Sequence, residues 1–207
     1  NPTVRANMHA GAKWEDVTGE AGPEDPDLTL ISLQTAAGKP LAILANFSMH
    51  YFSDADISAD YFGLFAEGLK ERLTAGDQFV GIMSHGCSGD IWRRDYTRSA
   101  TDHTQTLTID TFTEGLLKIA QSAYEEITYD AQATLSMIES RMELKYRVPD
   151  KGRLQWAQQI LTAMGDRPPK TVEEVYAREQ ILLHERQHTE IVVQALRIGW
   201  KLPQRGR

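Results

Sequence analysis

Apolar positions along this chain fall into two rhythms, a period of two and a period near three and a half. Leu28 to Gln34 reads as a strand, "GKP" at 38–40 as a turn, and Leu41 to Phe47 as a nearly all-apolar buried strand. Asp60 is placed to cap a helix whose apolar positions Phe62, Phe65, Leu69 and Leu73 repeat at helical spacing, with Gly76 as its stop signal. "QFVGIM" at 78–83 forms a third short buried strand, and a second amphipathic helix is expected over about 106–127, with Ile109, Phe112, Leu116, Ile119 and Ala123 on one face. Strict alternation follows, with Met142, Leu144, Tyr146 and Val148 set between Arg141, Glu143, Lys145 and Arg147. That is the signature of a half-exposed strand. Helices over 151–164 and 172–187 come next, the second opened by a capping box of Thr171 with Glu174, and a last strand runs from Glu190 to Ile198. Residues 1–27 carry no period and read as irregular surface loop. Interleaved strands and helices define a mixed α/β class, a sheet flanked by helices, with 1–207 read as one domain.

Two of the buried strands release the chain into polar loops at their carboxyl ends: "MHYFSDADISAD" and "SHGCSGDIWRRD". Ligands in such sheets sit outside the carboxyl ends of strands, so His50, His85, Ser88 and Asp90 are expected to converge. A neutral imidazole suits zinc, whose catalytic sites take three protein ligands and keep one position open. A lone histidine at a strand end is more often a polar residue satisfied by its neighbours, and the residues alone leave both readings of His50 open.

"HERQH" at 184–188 matches the H-E-x-x-H pattern of zinc proteases, in which two histidines one helical turn apart bind the metal and the glutamate is the general base. Three features oppose that reading of His184, Glu185 and His188. The helix's apolar stripe, with Val172, Val175, Tyr176, Leu182 and Leu183, puts both histidines on the solvated face. Arg186 sets a cation between them. The strand-like "TEIVVQALRI" ends the helix where the motif needs it to continue.

Composition narrows the classes further. A net charge of −7 argues against general nucleic-acid binding, which needs clustered Lys and Arg on phosphates. The single cysteine, Cys87, excludes an intramolecular disulfide and a cysteine-rich zinc site. Its place two residues after His85 suits a buried structural thiol better than a nucleophile. No apolar stretch reaches the roughly 20 residues that span a bilayer. Neither a phosphate-binding G-x-x-x-x-G-K nor a G-x-G-x-x-G is present, and "HGCSGD" is not a G-x-S-x-G nucleophile elbow. The start at Asn1-Pro2, without an initiator Met or signal-like segment, reads as the inside of a longer polypeptide.

The blocks "DPDLTLISLQTAAGKPLAILANFSMH", "ISADYFGLFAEGL" and "FVGIMSHGCSGDI", in that order, resemble the amino-terminal catalytic domain of the neutral/alkaline non-lysosomal ceramidase family. "RVPDKGRLQWAQQIL", "TVEEVYAREQILL" and "VVQALRIG" are similar to a bacterial ceramidase-like branch. The resemblance implies a zinc-dependent amidase that cleaves an N-acyl, ceramide-like lipid amide. It also implies peripheral contact with a membrane and a secreted or periplasmic location. In the family two His, a Glu and a Tyr hold the zinc. The "FATH"-like strand end matches "FSMH", so His50 takes one ligand role by resemblance, and the other ligands are expected outside this chain, which would then be an incomplete catalytic domain. The family's catalytic serine position carries Trp92 here, which puts ceramide itself in doubt as a substrate. A water activated by zinc would serve an amide without that serine. By the same resemblance Asp90 either orients that water or caps its loop, while His85 and Ser88 are pocket-lining candidates without a family role. A zinc protease using His184, Glu185 and His188, or a non-catalytic fragment that keeps the fold, is the alternative.

Overall fold

The structure is a computed structural model that describes residues 22–53, 55–89, 91, 93 and 107–199. Helix accounts for 36% and strand for 26%, in two small sheets with helices beside them, so the class is mixed α/β as expected. The chain divides into two compact units, Asn1–Tyr129 and Asp130–Arg207.

In the first unit, β1 (Thr29–Gln34) pairs antiparallel with β2 (Pro40–Phe47), and β2 pairs parallel with β3 (Val80–His85). A parallel pair needs a crossover, and α1 (Asp60–Arg72) supplies it. Gly81 lets α1 approach closely, since a Cβ there would lie 2.7 Å from the Ala66 carbonyl oxygen. α2 (Ile109–Glu125) lies against α1, with Leu117 over Gly68, and is opened by a reciprocal capping box of Thr108 and Thr111. The core joins one face of the sheet to these helices through Ile43, Ala45, Met83, Tyr61, Phe65 and Leu69, several of them with no exposed surface.

Three expectations change here. β2 and β3 are buried on one face alone: Leu44 is 38% exposed and Ile82 49%, because both helices pack on the same side. Helix α1 ends at Arg72 on a left-handed Thr74 (φ 48°) and not at Gly76. In α2 the buried positions are Thr113, Leu116, Leu117 and Ala120, while Ile119, expected inside, is exposed.

The second unit is a ribbon and a helical hairpin. β4 (Leu135–Lys145) and β5 (His188–Ile198) pair antiparallel along their whole lengths, from Leu135↔Ile198 to Lys145↔His188. Between them α3 (Lys151–Met164) and α4 (Val172–Arg186) pack together around Ala157 and Ala177. Thr171 and Glu174 form the expected capping box. β4 starts six residues earlier than the alternating pattern indicated, and all eleven of its residues are exposed. No helix among the described residues is long and apolar enough to cross a membrane.

Candidate functional site

β2 and β3 run parallel and end level, Phe47 opposite His85, so both chains leave the sheet at one edge. The Gly86 N–H donates to the Phe47 carbonyl at 2.9 Å. A Cβ at Gly86 would stand 2.3 Å from Ser48 Oγ and 3.2 Å from Ser48 Cα, a crowding that glycine avoids. Further along, the His50 N–H donates to the Ile91 carbonyl at 3.2 Å. The two loops converge, as expected of the carboxyl ends of such strands.

His50 is half-buried, its ring stacked on Tyr51 at 4.2 Å and 30°. Its Nδ1 lies 3.1 Å from the Tyr51 carbonyl oxygen. A carbonyl only accepts, so Nδ1 carries the proton, and in the neutral ring Nε2 carries the lone pair. Metal-ligating histidines are held in the same way, one ring N–H on a carbonyl or carboxylate and the other nitrogen presented to the metal.

His85 has the opposite polarity. Its Nε2 lies 2.9 Å from the Met49 carbonyl oxygen and also contacts Ser88 Oγ. Nε2 must therefore donate, and it cannot at the same time take the Ser88 proton as a general base. Ser88 is buried, its hydroxyl at the turn where the Ile91 N–H donates to the Ser88 carbonyl at 3.1 Å, whereas Cys87, expected to be a buried thiol, is exposed on the loop that follows β3. Asp90 and Trp92 lie outside the described residues.

Two residues that the sequence reading gave no part in the site hold the His50 loop in place. Asp60 is the first residue of α1, 8% exposed and left-handed at φ 52°. It does not cap the helix in the expected way, for its carboxylate turns back onto the loop. Oδ1 accepts from the N–H groups of Phe52 (2.9 Å) and Tyr61 (2.8 Å), and Oδ2 accepts from Ser53 N–H (2.9 Å). Tyr61, with no exposed surface, donates its hydroxyl to the Met49 carbonyl at 2.8 Å. Burial, reinforced by the charge of Asp60, pushes its phenol above the usual tyrosine range, so it stays a donor. A cavity of about 540 Å³ opens beside this loop, lined by Tyr51, Ser53, Asp56, Ser58, Asp60 and Phe62 among others. The only sequence signal for these roles was an acidic residue and a tyrosine opening a helix soon after a strand.

The "HERQH" pair does not share a helix. His184 is on α4 and half-buried, where a solvated position was expected, whereas His188 is the first residue of β5. Gln187 between them takes φ 54°, which reverses the chain. His188 Nδ1 meets Glu143 Oε1 at 3.2 Å across the ribbon. The i, i+4 geometry that a helical zinc pair needs is absent. Among the described residues, no group of three or more His, Cys, Asp or Glu side chains is arranged to hold a metal ion. His50 by itself fits one ligand position. No family model, no curated protein and no solved structure matches the chain.

Proposed function

We propose that this chain carries part of the catalytic region of a zinc-dependent amide hydrolase acting on N-acyl, ceramide-like substrates, with His50 as one metal ligand. The observation that carries the reading is the 3.1 Å contact of His50 Nδ1 with the Tyr51 carbonyl: that oxygen accepts a hydrogen bond from Nδ1–H, which puts the ring's lone pair on Nε2, at the edge where two parallel strands end. The substrate class comes from the resemblance of the strand-end blocks to the ceramidase family. The remaining ligands are assigned by that resemblance to positions beyond the described residues. A zinc ion held by His50 and those ligands would supply a water activated for attack on the amide. The chain's own part is to fix His50, to stack Tyr51 on its ring, and to keep the loop edge partly dry through Ser88, Met49 and Tyr61.

Metal content of the full-length gene product is the test, wild type beside His50→Ala. The expected result is about one zinc per wild-type chain and loss of both zinc and N-acyl hydrolysis in the variant, as for removal of a catalytic ligand. Equal zinc in both would make His50 a strand-end histidine. Absence of zinc from the wild type would favour a non-catalytic protein that keeps the fold.

A further inference from the structure

The peptide group joining Tyr51 to Phe52 is held at both of its polar ends. Its N–H donates to Asp60 Oδ1 at 2.9 Å, and its carbonyl oxygen lies 3.1 Å from His50 Nδ1. We propose that Asp60 is a positioning residue for His50, acting through this one peptide group to select the imidazole tautomer and its orientation.

Two effects operate along the chain carboxylate, peptide, imidazole. The first is geometric. A peptide plane is rigid, so fixing its N–H on Asp60 fixes the direction of its C=O. The second bond from the carboxylate, to Ser53 N–H at 2.9 Å, and the third, to Tyr61 N–H at 2.8 Å, tie that plane to the first turn of α1. The second effect is electronic. A negative charge on the N–H side polarises the amide and makes its oxygen a stronger acceptor, the cooperativity expected of hydrogen bonds in series. Imidazole so held is a better donor through Nε2, as with carboxylate–histidine pairs around metals. Here the carboxylate acts at one peptide's remove.

The backbone around the ring is fixed independently. Tyr61 hydroxyl and His85 Nε2 both donate to the Met49 carbonyl, and the Ile91 carbonyl accepts the His50 N–H. Ser53 and Asp60 both take left-handed φ values, 60° and 52°, which few non-glycine residues adopt unless surrounding bonds help to fix them. The bonds from the Asp60 carboxylate do so. Asp60 spans the loop from its far end to the Phe52 N–H, two residues past the histidine, which is more than closing a turn requires.

The functional weight of this relay rests on the reading of His50 as a metal ligand, but the relay is measurable in the metal-free 207-residue chain. Long-range ¹⁵N–¹H NMR of His50, about two units above the ordinary histidine pKa of ~6.5, reports which ring nitrogen carries the proton. The wild type should show the proton on Nδ1. Asp60→Asn keeps the size of the side chain and its tolerance of left-handed φ but replaces one acceptor oxygen with a donor. It should shift His50 toward the Nε2–H form. Tyr61→Phe loosens the same loop at Met49 without touching the Tyr51–Phe52 peptide, and it should leave the tautomer as in the wild type. A folded Asp60→Asn with His50 unchanged would overturn the proposal, and so would an equal shift in both variants. If Asp60→Asn does not fold, the wild-type spectrum decides. A proton on Nδ1 with a hydrogen-bond coupling between the Phe52 amide nitrogen and the Asp60 carboxyl carbon supports the relay, and a proton on Nε2 overturns it. In the zinc-binding gene product, Asp60→Asn should then weaken metal affinity by about 10–100-fold. A tautomer shift with no zinc in the wild type would leave the relay standing and remove the metal reading.

Discussion

Two donors share the Met49 carbonyl, and removing them singly and together tests how the site is braced. Tyr61→Phe keeps the ring in place, stacked on Phe62 at 4.1 Å and edge-on to Phe112 at 5.3 Å, so no apolar burial is lost. Only the 2.8 Å bond to Met49 goes, and His85 Nε2 at 2.9 Å still satisfies that oxygen. The cost should be that of one net hydrogen bond, about 0.5–1.5 kcal/mol. His85→Ala should cost somewhat more, because it also removes the contact with the buried Ser88 hydroxyl and the edge-on contact with Phe62 at 5.1 Å. With both removed, a carbonyl in a residue only 1% exposed has neither donor, and an orphaned buried acceptor costs about 1–3 kcal/mol more. The double-mutant cycle should therefore show a coupling of about 1 kcal/mol or more. Amide hydrogen exchange of α1 and β3 in urea is the assay, because it reads the first unit alone, whereas Trp156 fluorescence would report α3. With an m-value of about 1–3 kcal/mol/M, each single variant should lower the midpoint by roughly 0.3–1 M. Additive losses would mean that the two donors do not share one acceptor, and the bracing described for the His50 loop would be wrong.

Gly81→Ala should destabilise the first unit by about 1–3 kcal/mol, because the new methyl meets Ala66 backbone that cannot swing aside; an unchanged urea midpoint would contradict the α1–β3 contact. Glu174 is held at about 2, first by the side-chain bonds from Arg167 and then by the Lys170 and Thr171 N–H groups. Its folded value is depressed, so its contribution to α4 is present above the ordinary 4.5 and is lost as pH falls from there through about 2. Arg167→Ala should move the Glu174 carboxyl midpoint, read by ¹³C NMR, back toward 4.5, and an unmoved midpoint would refute the pairing. His188→Ala, at an exposed pair with Glu143, should change stability by no more than about 0.5 kcal/mol in urea unfolding; loss of bound metal from that variant would revive the H-E-x-x-H reading.

Local rhythm by itself determined much of this protein. The boundaries of α3 and the capping box of α4 follow from period and from side chains within a few residues of each other, so they were legible before any contact was known. The convergence of His50 with the Ser88 loop was legible too, because parallel strands carry their carboxyl ends to one edge. What period does not encode is which side of an element meets a neighbour. Ile119 fits the apolar stripe of α2, but the helix buries Thr113, Leu116, Leu117 and Ala120 instead, and Gly68 of α1 leaves room for Leu117. β2 and β3 read as buried on both faces, but their apolar composition cannot say whether a second layer is present, and the described helices cover one face. "HERQH" keeps its spacing in sequence and loses it in space through a single positive φ at Gln187, which no residue type there announces. Asp60 was legible as a helix opener. That its carboxylate reaches back eight residues to Phe52 depends on the path of the loop between them, and a hydrogen bond falls off within fractions of an ångström. Tertiary structure alone brings that carboxylate, that peptide and the His50 ring into line.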